Sequence, residues 1–311
     1  MPVWLLLAPH GFAGSALPRS HDVVSTADVP RSREIAPGVT MPFVNLGGVH
    51  SHPGNFSAWL SLGGTGLDTA MLYGDDIQVQ VGDAIKGSGQ RGDLFVTTKV
   101  PCCPTGGIGA AWCDWYVKEF ADLDAYTRGS IDLRLLGIEY ADLMLMHWPC
   151  SDEADTIKTY RALEAFQLAG KARAIGISNF NSSAIDALYA APGGLRVLPA
   201  VNQNGFSIAG HNSTLNGRDM ATLAKCNEKN ITFSAYSPLG GLTGVDVLGN
   251  PTVIAVGKAH NKSSAQVALR WVTQQGVVAV TSATNPEYLA EDLDIFDFTL
   301  SDAEMATLAA I

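Results

Sequence analysis

Asp68, Tyr73, Lys99 and His147 are residue types that together suit carbonyl reduction. Hydride addition to a carbonyl leaves an alkoxide that needs a proton. A free Tyr, with a pKa of about 10, gives up its proton poorly at neutral pH. A neighbouring Lys cation lowers that value by favouring the phenolate, so Tyr73 can give or take the proton. A buried Lys99 in turn needs a carboxylate beside it, and Asp68 supplies one. His147 can hydrogen-bond the substrate carbonyl, orienting and polarising it. Singly, each has an ordinary explanation: a structural ion pair, a core His, a strand-end Tyr. The conjunction points to a site.

The elements that must position these residues follow from the apolar pattern. From about Met41, short β-rich runs alternate with longer segments of helical spacing. The runs are Pro42–Gly48, Gly66–Leu72, Asp93–Val100, Ala141–Trp148, Ala172–Asn179, Leu198–Gln203, Ile231–Ser237 and Val277–Ser282, each suited to a strand buried on both faces. Helical patterns occupy Ile77–Lys86, Phe120–Leu136, Thr156–Ala169, Ser183–Tyr189, Gly217–Asn227 and Ser263–Gln274, with Asn261 and Ser263–Ser264 as N-cap candidates for the last. Ser32–Met41 reads as an opening hairpin turning at Pro37–Gly38. Eight strands alternating with helices predict an α/β protein, a single-domain (β/α)8 TIM barrel with an N-terminal hairpin. A doubly wound sheet is the alternative, but Leu46-Gly47-Gly48-Val49 does not fit the G-x-G-x-x-G fingerprint expected there. In a barrel, reactive residues lie at the carboxyl ends of strands, where all four chemical residues fall.

Composition narrows the function classes. With 311 residues, 47% hydrophobic and 16% charged, the chain has material for a large core and too little charge for long disordered tails. Lys and Arg number 20 against 30 Asp and Glu, a net charge of −10 without a basic stripe, which argues against nucleic acid and anionic membrane partners. No run suggests a transmembrane helix. Residues 1–32 form a leader, either poorly ordered or, through the apolar run Met1–Ala8 and the small residues of Gly11–Ala16, a signal peptide that lacks a basic start. Residues 33–311 form the barrel. A cytoplasmic location is the main expectation, and secretion follows only if the leader is a signal; the Asn-x-Ser/Thr sequons at Asn55, Asn181, Asn212, Asn230 and Asn261 matter only in that case. Five Cys are an odd count for a disulfide framework. Cys102, Cys103, Cys113 and Cys150 fall on the expected catalytic face, without the spacing or His partners of a metal site, so no metal is expected. Free thiols are the first reading, and a disulfide or redox-sensitive loop is the alternative.

Several stretches together resemble the aldo-keto reductase superfamily: Leu67-Asp-Thr-Ala-Met-Leu-Tyr73-Gly74, Val96-Thr-Thr-Lys99, Met144-Leu-Met-His147-Trp-Pro149, Gly176-Ile-Ser-Asn-Phe180 and Ala265-Gln-Val-Ala-Leu-Arg-Trp271. The resemblance runs from about Arg33 to Leu308. It implies a barrel with a nicotinamide cofactor across its mouth and the tetrad Asp68, Tyr73, Lys99 and His147, with Tyr73 as proton donor. The function implied is an NAD(P)H-dependent carbonyl reductase acting on small aldehydes or ketones, reversible as an alcohol dehydrogenase, in a monomer or small homo-oligomer. A catalytically weak cofactor-sensing or regulatory barrel is the alternative; relatives with such roles exist, but all four tetrad residues are present here.

The resemblance also assigns a cofactor cleft. Ser178, Asn179 and Gln203 match residues that hold the nicotinamide carboxamide, and Tyr236 the aromatic on which that ring stacks. Ser237 and Leu239 match loop contacts near the pyrophosphate, Gly47 a close backbone approach, Asp68 a further cofactor contact, and Glu291 an adenine contact. Two departures stand out. Ser282 and Tyr288 replace the Lys and Arg that contact the 2′-phosphate in NADP-preferring relatives, and Asp292 replaces an Asn. NADP is the family default, while NAD or mixed use is open; Lys258 or Lys262 could reach the phosphate instead. The chain also stops at Ile311, where many relatives continue as a loop over the site. The pocket wall is then expected from Trp112, Trp115 and Tyr116 after the third strand and from Trp148, unless these aromatics only pack the loop.

Overall fold

Apolar runs without alternation build strands covered on both faces, and this chain closes eight of them on one another. A computed structural model describes residues 30–49, 51–102, 111, 113, 123–241 and 243–311, with the side chain of Leu215 excepted. The hairpin strands are β1 (Ser32–Ala36) and β2 (Val39–Pro42), antiparallel, with Gly38 at φ +72° in the turn. The barrel strands are β3 (Val44–Gly47), β4 (Gly66–Asp68), β5 (Phe95–Val100), β6 (Ala141–Met146), β7 (Ala172–Ser178) and β8 (Val201–Gly205). A two-residue pair, β9 (Asn212–Ser213) and β10 (Arg218–Asp219), interrupts them before β11 (Thr232–Tyr236) and β12 (Val278–Thr281). The closed order is β11-β12-β3-β4-β5-β6-β7-β8, parallel throughout. Every residue of β5 and of β6 is buried. The hairpin lies at the amino-terminal end: Arg173, near the start of β7, donates to the Gly38 carbonyl, and Arg33 to that of Gly276, just before β12.

The (β/α)8 expectation and the opening hairpin are therefore met, with local differences that have physical causes. The second run ends as a strand at Asp68; Met71–Tyr73 is a 3-10 turn, closed by Tyr73 N–H to the Ala70 carbonyl at 2.9 Å. The sixth strand starts at Val201 and not Leu198, because Pro199 lacks a donor and restricts the residue before it. It extends to Gly205 because the side chains of Asn202 and Asn204 find acceptors on Phe180 and Gly217. The helix expected from Gly217 begins at Met220, capped by Asp219. Asn216 at φ +54° and Gly217 at φ +68° are left-handed and cannot continue a helix. Ser263, through a capping box with Gln266, starts the helix Ser264–Thr273, whereas Asn261 ends the preceding one. Among the described residues, four helices escaped the sequence pattern: Phe56–Ser61, Pro251–His260, Pro286–Leu293 and Asp302–Ala309. No described helix is long and apolar enough to cross a membrane.

The cysteines depart from the free-thiol expectation. Cys102, just past β5, and Cys150, just past β6, form a disulfide with Cα atoms 4.9 Å apart. Cys113 is disulfide-bonded as well, and Cys226 is a buried free thiol. Neighbouring parallel strands deliver Cys102 and Cys150 side by side, so spatial pairing and not an even count decides the chemistry. A cross-link spanning 48 residues removes conformations from the unfolded chain, an effect of about 2–4 kcal/mol. Cys150→Ser is expected to lose about that much in urea denaturation against the parent. An unchanged midpoint and slope would show that the bond contributes nothing to stability.

Candidate active site

Strand order places Asp68, at the end of β4, beside β5, which carries Lys99. The next neighbour is β6, and His147 follows its last residue, with its N–H on the Val100 carbonyl at 2.9 Å. The 3-10 turn swings Tyr73 over the same end of the barrel. Lys99 is fully buried, and its ammonium has three acceptors: Asp68 Oδ1 at 2.5 Å, the Thr69 carbonyl at 2.9 Å and Tyr73 Oη at 3.5 Å. An ammonium has three donors, so all are engaged. Asp68 Oδ2 accepts from Gln203 Nε2 at 2.7 Å. The Tyr73 and His147 rings meet edge to face, with centroids 5.7 Å apart.

These neighbours set the protonation states. Burial is the largest influence and works against the Lys99 charge, but Asp68 and Tyr73 together, through charge and hydrogen bonds, outweigh it and hold the ammonium above its ordinary pKa. Burial pushes the Tyr73 phenol up; Lys99 pulls it down without cancelling that effect. The sequence expectation of a net lowering is thus corrected: the sign of the Lys99 influence holds, and desolvation exceeds it. Burial, then Lys99, push His147 well below its ordinary value, leaving a neutral imidazole. Its Nδ1 is buried with no hydrogen-bond partner among the described residues.

A cavity of about 410 Å³ opens above this group. Of the residues matched to a cofactor cleft, Gly47, Asp68, Ser178, Asn179 and Gln203 line it, as do Tyr236, Ser237, Leu239 and Ser282. Asn179 sits at φ +63°, strained for a non-glycine, and is held there by Nδ2 to the His147 carbonyl at 2.9 Å and by Tyr236 Oη to its Oδ1 at 2.8 Å. Ser178 Oγ donates to the Gln203 backbone carbonyl at 2.6 Å. One Nε2 hydrogen of Gln203 serves Asp68, which leaves its side-chain oxygen and its second amide hydrogen to meet a ligand. Trp148 stacks on His147, centroids 3.9 Å apart, and lines the cavity. Trp112 and Trp115 lie outside the described residues.

The far end differs from expectation. Tyr288 is exposed, and neither it nor Glu291 lines the cavity. Asp292 turns inward and accepts from Thr281 Oγ1 at 2.9 Å. Lys262 is engaged by Asp294 and Asp297, each at 2.7 Å. Ser282 Oγ donates to the His52 carbonyl at 2.9 Å. The sequence reading also missed His52 and Arg218 in the cavity wall. The signal for Arg218 was a lone basic residue in the polar stretch His211–Asp219, hidden when Gly217 was assigned to a helix. The cavity offers a strand-end amide set, an aromatic face and one guanidinium, which fits the nicotinamide and charged parts of a dinucleotide.

Comparison with known proteins agrees with this geometry. The model of the Aldo/keto reductase family matches residues 56–311. The chain is 36% identical over 286 residues to morphine 6-dehydrogenase of Pseudomonas putida, covering 87% of this chain and 88% of that protein. It is 34% identical over 273 residues to a 9,11-endoperoxide prostaglandin H2 reductase of Trypanosoma cruzi, covering 86% of each. Among solved structures, an aldo-keto reductase enzyme from a Medee basin deep-sea metagenome library superposes with a TM-score of 0.72 at 30% identity, covering 87% of this chain and 91% of that one. The chain belongs to the aldo/keto reductase family. It is an NAD(P)-dependent oxidoreductase of that type, with a chemistry of general carbonyl reduction.

Burial, with a smaller push from the Glu291 charge, raises the Asp292 carboxyl to about 7 against the Thr281 hydrogen bond. An unfolded Asp titrates at about 3.9. The folded state therefore favours the protonated form, and that contribution is fully present below about pH 4 and lost as the pH rises through about 7. Asp292→Asn keeps an acceptor for Thr281 and is expected to raise Tm at about pH 8 while giving no gain near pH 4. Equal gains at both values would show that burial of the charge is not what Asp292 costs the fold.

Proposed function

We propose that the barrel of residues 33–311 reduces aldehydes or ketones to alcohols, reversibly, with Tyr73 as proton donor. The observation that carries this reading is the chain Gln203–Asp68–Lys99–Tyr73, ending in the cavity beside a neutral His147. The nicotinamide dinucleotide, when bound, supplies the hydride that goes to the carbonyl carbon. Tyr73 Oη gives its proton to the resulting alkoxide oxygen. Lys99, held on two other sides, stabilises the phenolate that remains. His147, held neutral, donates the N–H of the one ring nitrogen that carries hydrogen to the carbonyl oxygen and fixes its orientation. Ser178, Asn179 and the Gln203 carbonyl hold the carboxamide, and the Tyr236 ring supports the nicotinamide. Trp148, stacked on His147, forms one wall for the substrate.

Tyr73→Phe is expected to lower turnover by at least about a hundredfold while dinucleotide binding survives. Lys99→Met is expected to cripple turnover as well. Loss of nicotinamide absorbance with a panel of aldehydes measures both. Parent activity no greater than that of Tyr73→Phe across the panel would favour the regulatory barrel instead.

Cofactor choice follows from charge. NADP is the family default, but Ser282 and Tyr288 place no cation at the 2′-phosphate, and Lys262 is held by two aspartates. Replacing two charged contacts by neutral ones costs roughly 1–3 kcal/mol, or about five- to a hundredfold in affinity. NADPH is expected to bind with little advantage over NADH, and Ser282→Lys with Tyr288→Arg to restore selectivity. A several-hundredfold NADPH preference in the parent would overturn this. As to location, the cytoplasm keeps thiols reduced, so the Cys102–Cys150 bond supports an oxidising compartment over the cytoplasmic one first expected.

A further inference from the structure

The chain carries a cation that the assigned chemistry does not use. Arg218 is the one Lys or Arg that lines the main cavity among the described residues. It also lines a second cavity of about 390 Å³, and Ser237 is the other residue shared by the two. Its Nη2 donates to Tyr236 Oη at 3.1 Å, and the guanidinium lies 5.6 Å from that ring's centroid. Its Nε is buried without a partner, and no carboxylate pairs with it among the described residues. A guanidinium offers five donors and a permanent charge, so a neutral phenol leaves most of its capacity unspent.

Local structure is arranged to present this side chain. The left-handed residues Asn216 and Gly217 turn the β9–β10 hairpin inward. Asn204 Nδ2 clamps the Gly217 carbonyl at 3.0 Å. Gly205 leaves the space that Arg218 fills: a Cβ there would lie 2.9 Å from Arg218 Nε. The second cavity contains neither Tyr73 nor His147, and Ser207, Ser213, Ser237 and Thr243 line it together with Arg218. Hydroxyl groups around one guanidinium suit phosphate oxygens.

We propose that Arg218 anchors the diphosphate bridge of the nicotinamide dinucleotide. This rests on the cofactor cleft assigned above, in which the bridge passes Ser237. In a protein of net charge −10 the dianionic bridge needs a local cation, and Arg218 provides one at a point that NADH and NADPH share. Charge is thereby placed where it raises affinity without distinguishing the two dinucleotides, in contrast to the uncharged Ser282 and Tyr288.

Fluorescence titration of the full chain with NADH and NADPH tests this, using the parent, Arg218→Gln, Arg218→Lys and Tyr236→Phe. Arg218→Gln is expected to raise both dissociation constants by the same factor, about ten- to a hundredfold, with Arg218→Lys between. ADP-ribose, which has the diphosphate but no nicotinamide, should weaken equally as a competitor. The dependence of log Kd on log salt should be shallower in Arg218→Gln than in the parent. If that variant does not fold, Arg218→Lys and ADP-ribose competition decide. The proposal is overturned if Tyr236→Phe reproduces the whole effect, since Arg218 then only props the ring. It is equally overturned if NADPH alone weakens, or if both dissociation constants stay put while KM rises for a carboxylate-bearing aldehyde and not its neutral analogue. Parent protein that binds neither dinucleotide refutes the proposed function itself; parent turnover with an unaltered Arg218→Gln refutes this inference alone.

Discussion

A fully buried ammonium is the constraint from which the rest of the site follows. Lys99 has no water to solvate it, so each of its hydrogens must meet an oxygen, and one of those oxygens must carry charge. Asp68 supplies the charge, the Thr69 carbonyl a second acceptor, and the phenol of Tyr73 the third. Because Asp68 is buried as well, its other oxygen also needs a donor, and Gln203 reaches from the far side of the barrel to give it. Removing any member would leave a buried polar group unsatisfied, so the arrangement resists small displacements.

The barrel was legible because its strands are read on both faces: runs such as Ala141–Met146 admit no polar alternation, and eight of them in one chain leave few architectures. The tetrad was legible because Asp, Lys and His interrupt those runs where interruption is costly. Less could be read where tertiary contact decides. The 3-10 turn that carries Tyr73 depends on the close of β4 against Thr97, not on its own composition. Desolvation of the phenol depends on what covers it, so the sign of its net shift was out of reach. Four helices start at Asn or Ser caps, two of them with Pro at the first turn, yet their apolar spacing was too weak to register. Arg218 was lost because two left-handed residues sat inside a stretch that otherwise resembled a helix start.

The two ends of the cavity are built on different principles. At the catalytic end, charges are paired inside the protein and the groups facing a ligand are neutral: an imidazole, amides and a protonated phenol. Beside Tyr236 stands Arg218, hydrogen-bonded to that phenol and without a carboxylate partner among the described residues. Further on, at the end of β12, charge is turned inward or spent elsewhere: Asp292 binds Thr281, and Lys262 binds its two aspartates. A ligand laid along this cleft would meet strong fields at its middle and weak ones at either end.

The bond between Cys102 and Cys150 has a consequence for chain integrity. Cys102 lies three residues beyond Lys99, and Cys150 three beyond His147. A peptide bond cut anywhere between the two cysteines would leave both fragments in one covalent molecule. Each fragment would keep its strand in the closed barrel, tethered a few ångströms from its neighbour at the residues that matter. Proteolytic clipping of that intervening segment would therefore be silent on a non-reducing gel, and would show as two chains only after a thiol is added.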